Sequence, residues 1–156
     1  MSTFDELAND FLAQKRIAVV GVSRKKNGIA NGIYRRLRDS GYQVYAVNPI
    51  AETCAGDPCF SSVKDVPTPL DGAFIMTHSE VSTQVVADCI EAGVPRVWMH
   101  GNAWAGKRAS SVSDKAVELC KENGVEVIAG GCPMMFLEFG HKCMKFIMGM
   151  TGHLPK

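Results

Sequence analysis

Residues 16–49, RIAVVGVSRKKNGIANGIYRRLRDSGYQVYAVNP, decide the fold. Ile17, Ala18, Val19 and Val20 form a continuous apolar run that predicts a buried strand, and Gly21, Val22 and Ser23 follow as a turn of small residues. A helix-forming segment comes next, then a second strand that ends in Val47, Asn48 and Pro49. Strand, turn, helix and strand in this order make a βαβ unit, in which the small turn lets a ligand approach and the amides opening the helix point toward an anion. Between Gln14 and Arg38 the chain carries Lys15, Arg16, Arg24, Lys25, Lys26, Arg35, Arg36 and Arg38 and no acid. The expected ligand is therefore a polyanion.

The same grammar recurs downstream. Residues 71–77 (DGAFIMT) predict a buried strand, and Ser79 is the expected N-cap of a helix through Val81, Val85, Val86 and Ile90 that stops at Gly93. Residues 95–100 (PRVWMH) read as a strand, residues 111–123 as a helix and residues 125–129 as the last strand. Continuous apolar strands alternating with amphipathic helices predict a doubly wound parallel sheet, an α/β fold of Rossmann-like, three-layer α/β/α form. Upstream, Thr3 and Glu6 stand at capping-box spacing, so residues 1–14 are expected to hold an accessory helix packed on the domain edge. Residues 50–69 are the least regular, with room for one short strand near Cys59 and Phe60. The Met- and Phe-rich tail, residues 133–156, predicts a terminal helix that closes over the sheet edge or joins a second copy in a homo-oligomer.

A length of 156 residues implies one domain spanning 1–156, and a net charge of +1 makes the basic run a local feature. That argues against nucleic acid and for a small anion. No apolar run approaches the roughly 18 to 20 residues that span a bilayer, and the acidic N-terminal segment has no signal-peptide core, so a cytoplasmic protein with no membrane partner is expected. In that compartment the six cysteines are expected as reduced thiols, with Cys89 and Cys120 filling helix cores. Cys54 and Cys59, and His141 with Cys143, do not match a zinc spacing, so no metal is expected. A thiol redox sensor is an alternative resting on cysteine count alone. No nucleophile elbow or catalytic carboxylate pair appears, so no catalytic residue is named.

The ligand can be narrowed further. A dinucleotide fingerprint would read G-x-G-x-x-G, with an acid about 20 residues on to hold ribose hydroxyls. Here Gly21 is followed by Ser23, and the second strand ends in Asn48. A carboxylate there would repel a ribose phosphate, whereas Asn48 leaves the nearby cations to meet charge. The site favours a nucleotide with more phosphate than NAD.

Four segments carry a family resemblance: VVGVSR, the Asn31-Gly32 pair, YAVNP, and GCPMMF late in the chain. Together, over residues 16 to about 136, they resemble the small single-domain CoA-binding Rossmann proteins. These are relatives of the CoA-binding domain in the succinyl-CoA synthetase alpha subunit and in ADP-forming acyl-CoA synthetases. The resemblance implies coenzyme A or acyl-CoA as ligand, with Gly21, Val22, Ser23, Arg24 and Lys25 at the phosphates, Asn31 nearby, and Asn48 and Pro49 at the adenosine end. Relatives often carry a basic residue soon after that proline. Here Ile50, Ala51 and Glu52 follow, so Arg24, Lys25 or Lys26 must supply that charge. The phosphohistidine of the synthetases lies in a further domain, so what carries over is binding in a non-catalytic or regulatory module. The alternatives are an NAD(P)-linked oxidoreductase and a partner-dependent acyl-CoA ligase component.

Thr77 and His78 join the candidate site because they end a strand at the sheet edge where ligands of open α/β folds bind. For His78 a locally bonded loop histidine is the competing reading. His100 and Asn102 occupy the same topological position after the next strand, and are the candidates for any polar chemistry. Trp98 is expected in the core, and Trp104 over a ligand. Cys132 follows the last strand and is the candidate for a mixed disulfide with the CoA thiol.

Overall fold

The computed structural model describes residues 2–25, 27–101 and 110–137. Lys26, Asn102, Trp104, His141, Cys143 and the tail beyond Leu137 lie outside the described residues. Among the described residues seven strands form one sheet: β1 (Arg16–Val20), β2 (Gln43–Val47), β3 (Thr53–Cys54), β4 (Asp57–Phe60), β5 (Gly72–Ile75), β6 (Arg96–Met99) and β7 (Glu126–Ala129), in the order β3-β4-β2-β1-β5-β6-β7. All pair in parallel except β3, which runs antiparallel to β4. The expected Rossmann-like α/β architecture is present. From β1 the chain winds outward through β2 and β4, then crosses back to β5 on the other side of β1, which puts the switch in strand order beside β1.

Alternation along β1 divides the core. Ala18 and Val20 face α3 (Ser79–Glu91) and α4 (Asp114–Glu122), through Val85, Val86, Cys89, Ala116 and Cys120. Ile17 and Val19 face α1 (Phe4–Leu12) and α2 (Ile29–Asp39), through Phe11, Ile33 and Leu37. Trp98 is fully buried there, its indole N–H donating to the Gly130 carbonyl at 2.9 Å.

Both halves of the predicted capping box on α1 are formed. The helix packs on one face of the sheet, where Phe11 meets Phe74 of β5 with the rings tilted and Trp98 of β6 edge-on, with ring centroids 4.6 and 5.6 Å away. Two helix starts differ from expectation. His78, with extended backbone, is the N-cap of α3, and Ser79 is the first helical residue. In α4, Ser113 caps by accepting from the Ala116 amide, while Ser111 remains extended to donate its N–H to the His100 carbonyl. The irregular stretch holds a two-strand hairpin where one strand was expected, turning at Ala55 and Gly56, both of positive φ. A short 3-10 turn (Val63–Asp65) follows, and α5 (Met134–Leu137) closes the described chain. No helix among the described residues is long and apolar enough to cross a membrane.

Candidate functional site

At the C-terminal edge of the sheet, β1 delivers the chain to Gly21 with φ +105°, and a Cβ at that position would sit 2.9 Å from the Met76 carbonyl oxygen. Only glycine brings the turn this close to the end of β5. Beyond it, Asn31 is 1% exposed and acts as a clasp. Its Oδ1 accepts the Ser23 amide at 3.0 Å, and its Nδ2 donates to the Ser23 and Lys25 carbonyls at 2.7 and 3.0 Å. A second asparagine fastens the turn from behind. Asn48 Nδ2 donates to the Val22 carbonyl at 2.9 Å, while its Oδ1 accepts the Ile50 and Ala51 amides. Both amides are thus committed to shaping the backbone, and the Ser23 N–H is satisfied within the protein.

What remains for an anion is the start of α2. Its N-cap, Gly28, brings no side-chain acceptor, and the helix has no acid in its first turn. An uncapped N-terminus with its aligned amides favours negative charge. The N-terminus of α3 opens onto the same space, and the His78 side chain makes no cap hydrogen bond. Between the two lies a cavity of about 850 Å³, lined among others by Gly21, Ser23, Gly28, Ile29, Asn31, Asn48, Pro49, Met76, Thr77, His78, Val81, Val85 and His100. One buried polar atom on this lining, Thr77 Oγ1, has no hydrogen-bond partner. A buried hydroxyl without a partner is uncommon in a folded protein, and this one belongs to a residue of the cavity wall. Asp88, also on the wall, lies 3.5 Å from Lys64 Nζ.

The profile of the CoA binding domain family matches residues 15–138. The chain belongs to this family. It is 30% identical over 122 residues to the ADP-forming acetate–CoA ligase I of Archaeoglobus fulgidus, a match covering 76% of this chain and 18% of that protein. The uncharacterized protein YneT of Bacillus subtilis is 29% identical over 118 residues, covering 76% of this chain and 82% of the relative. Among solved structures, a hypothetical protein from Pyrococcus horikoshii superposes with a TM-score of 0.76 at 27% identity, covering 87% of this chain and 92% of that one. The chain therefore spans under a fifth of the matched ligase.

In this CoA-binding domain, seven sequence-predicted residues line one cavity: Gly21, Ser23, Asn31, Asn48, Pro49, Thr77 and His78. The other three do not. The Val22 side chain is in the core, and Arg24 and Lys25 are exposed beside the turn. Part of the basic run serves the fold instead: Arg16 pairs with Asp71 at 3.1 Å and Arg38 with Asp57 at 2.9 Å. Asp57 also accepts from the Tyr34 hydroxyl at 2.8 Å, and these two bonds, Arg38 first, hold its carboxyl below the ordinary range. His100 lines the cavity and is 4% exposed. Cys132 is half-buried and is not part of the cavity lining.

Sequence reasoning missed Ser61, Ser62 and Val63, which reach the cavity from the irregular stretch, and the α3 face of Val81, Gln84, Val85 and Asp88. The second group had a signal. Its spacing of three and four residues is one helix face, and Val81 stands 47% exposed on it, a cost explained by a cavity in front.

Proposed function

We propose that the protein binds coenzyme A or acyl-CoA as a non-catalytic module. The observation that supports this most is one cavity at the switch in strand order, flanked by two helix N-termini without side-chain caps and walled by a glycine-dependent turn. In this reading the phosphates of the 3′-phospho-ADP end meet Gly21, Ser23 and the opening amides of α2, with Arg24 and Lys25 closing over them from solvent. Val22 contributes through its backbone, and Asn31 shapes the turn. Asn48 and Pro49 border the adenosine, and the pantetheine arm runs toward Thr77 and His78, where Thr77 Oγ1 gains a partner.

Calorimetry on ligand-free protein tests this. Coenzyme A is expected to bind, and dephospho-CoA to bind about tenfold more weakly, the equivalent of one lost charge-assisted contact of ~1.4 kcal/mol. No heat with coenzyme A alongside tight binding of NADPH would sink the reading. Similarity to an ADP-forming acetate–CoA ligase favours a second reading, in which the chain supplies the CoA site to a separate ligase partner. Acetyl-CoA formation by the chain alone from acetate, ATP and coenzyme A would overturn the non-catalytic assignment.

A further inference from the structure

The β3–β4 hairpin carries two cysteines that the CoA reading does not use. Cys54 Sγ lies 3.0 Å from Cys59 Sγ and 3.5 Å from the Val22 carbonyl oxygen, directly behind the Gly21–Ser23 turn. The ladder pairs Cys54 with Asp57, so Cys59, two residues on, presents its side chain to the same face diagonally from Cys54. A disulfide needs its sulfurs at ~2.05 Å, so an approach of about 1 Å closes the pair. The hairpin is also anchored. Tyr34 and Arg38 of α2 both bond Asp57, and the Cys59 amide donates to the Glu52 carbonyl at 2.9 Å, which holds the two sulfurs in register. Cys54 is 2% exposed, whereas Cys59 is half-buried and is the more accessible residue of the two.

We propose that Cys54 and Cys59 form a reversible redox site, oxidised to an intramolecular disulfide by low-molecular-weight disulfides. The Cys59 sulfur, as thiolate, attacks one sulfur of the small disulfide. That S–S bond breaks, a mixed disulfide forms, and one small thiolate leaves and takes up a proton. Cys54 then attacks Cys59 Sγ, the mixed bond breaks, and the second small thiol departs. The two protein sulfurs are oxidised and the two sulfurs of the small disulfide are reduced, with the two thiol protons passing to the released thiols. Burial and the hydrogen bond with Cys54 hold Cys59 protonated well above the ordinary thiol range, so the exchange runs slowly, over hours.

The test uses the full chain, fully reduced and then incubated with oxidised glutathione. Both cysteines fall in one tryptic peptide, residues 39–64, which is resolved from the peptides carrying the other thiols. The expected result is that this peptide loses about 2 Da, the mass of two hydrogens, and that dithiothreitol restores it. C54S is expected to retain a glutathione adduct on Cys59 and to show no such loss. An unchanged 39–64 peptide, or a wild-type peptide that keeps its glutathione adduct unresolved, would overturn the proposal. Neither outcome depends on coenzyme A binding.

Discussion

Asn31 satisfies three backbone groups from a buried position, so its removal strands the Ser23 amide and carbonyl and leaves the Lys25 carbonyl only a long bond from the Ser23 hydroxyl. N31A is expected to lose about 1–3 kcal/mol, the cost of leaving buried polar groups unpaired, and to weaken coenzyme A binding at least about tenfold by loosening the turn. Urea denaturation and calorimetry read the two effects; an unchanged affinity would separate the clasp from the ligand site. G21A acts differently. Its φ of +105° strains any side chain, and the added methyl meets the Met76 carbonyl at 2.9 Å, so a loss of about 1–3 kcal/mol and of measurable binding is expected. Gly21 and Ser23 were legible because small turn residues before a helix leave a local signature, whereas Asn31, inside α2, was pointed to only by the family resemblance. The orphan hydroxyl of Thr77 was not legible, since lacking a partner is a property of the assembled wall and leaves no trace in the residues beside it.

The strand signals were local as well: β1, β5, β6 and β7 are continuous apolar runs, found within a residue or two of their expected places. The hairpin failed this test because β3 has two residues and sits at the sheet edge, where alternation has no length in which to show. The joints between elements were also hidden. Asp71, just before β5, accepts the Arg16 amide at 2.9 Å and pairs with its guanidinium, tying the start of β1 to the start of β5. The Arg16 side chain, followed by the backbone amides, holds the Asp71 carboxyl below its ordinary range. Asp57 and Asp10 are lowered in the same direction by Arg38 and Arg96. A carboxyl with a depressed folded pKa contributes stability that is complete above the unfolded value of ~3.9 and disappears as pH falls through the folded one. Glu126, raised by burial, runs the other way and offsets part of this on acidification. The urea midpoint is therefore expected to hold steady from pH 7 to pH 5 in these three contributions and to fall below about pH 4. D71N is expected to be less stable at pH 7 and to show a shallower acid limb; an identical limb would remove Asp71 from the account.

At the scale of the whole molecule, the site exists because the winding reverses beside β1, which opens a gap between the N-termini of α2 and α3 that no single element contains. Alternating strands and helices announced a doubly wound sheet, but the volume and walls of the gap depend on how α2, α3 and the irregular stretch lean together. That explains why Ser61–Val63 entered the lining unforeseen. Such a gap couples ligand to fold. A molecule that bridges the two helix N-termini binds only when β1, β5, α2 and α3 are all in place, so its binding free energy is added to the stability of the whole domain. At 100 times its dissociation constant, coenzyme A is expected to add about 2.7 kcal/mol, which raises the melting temperature by roughly 5–11 °C for a chain of this size. NAD at the same concentration is expected to leave the melt unchanged, and G21A to show no shift with coenzyme A. A wild-type melt that coenzyme A does not move at saturating concentration would mean that the cavity between the two helices serves another molecule.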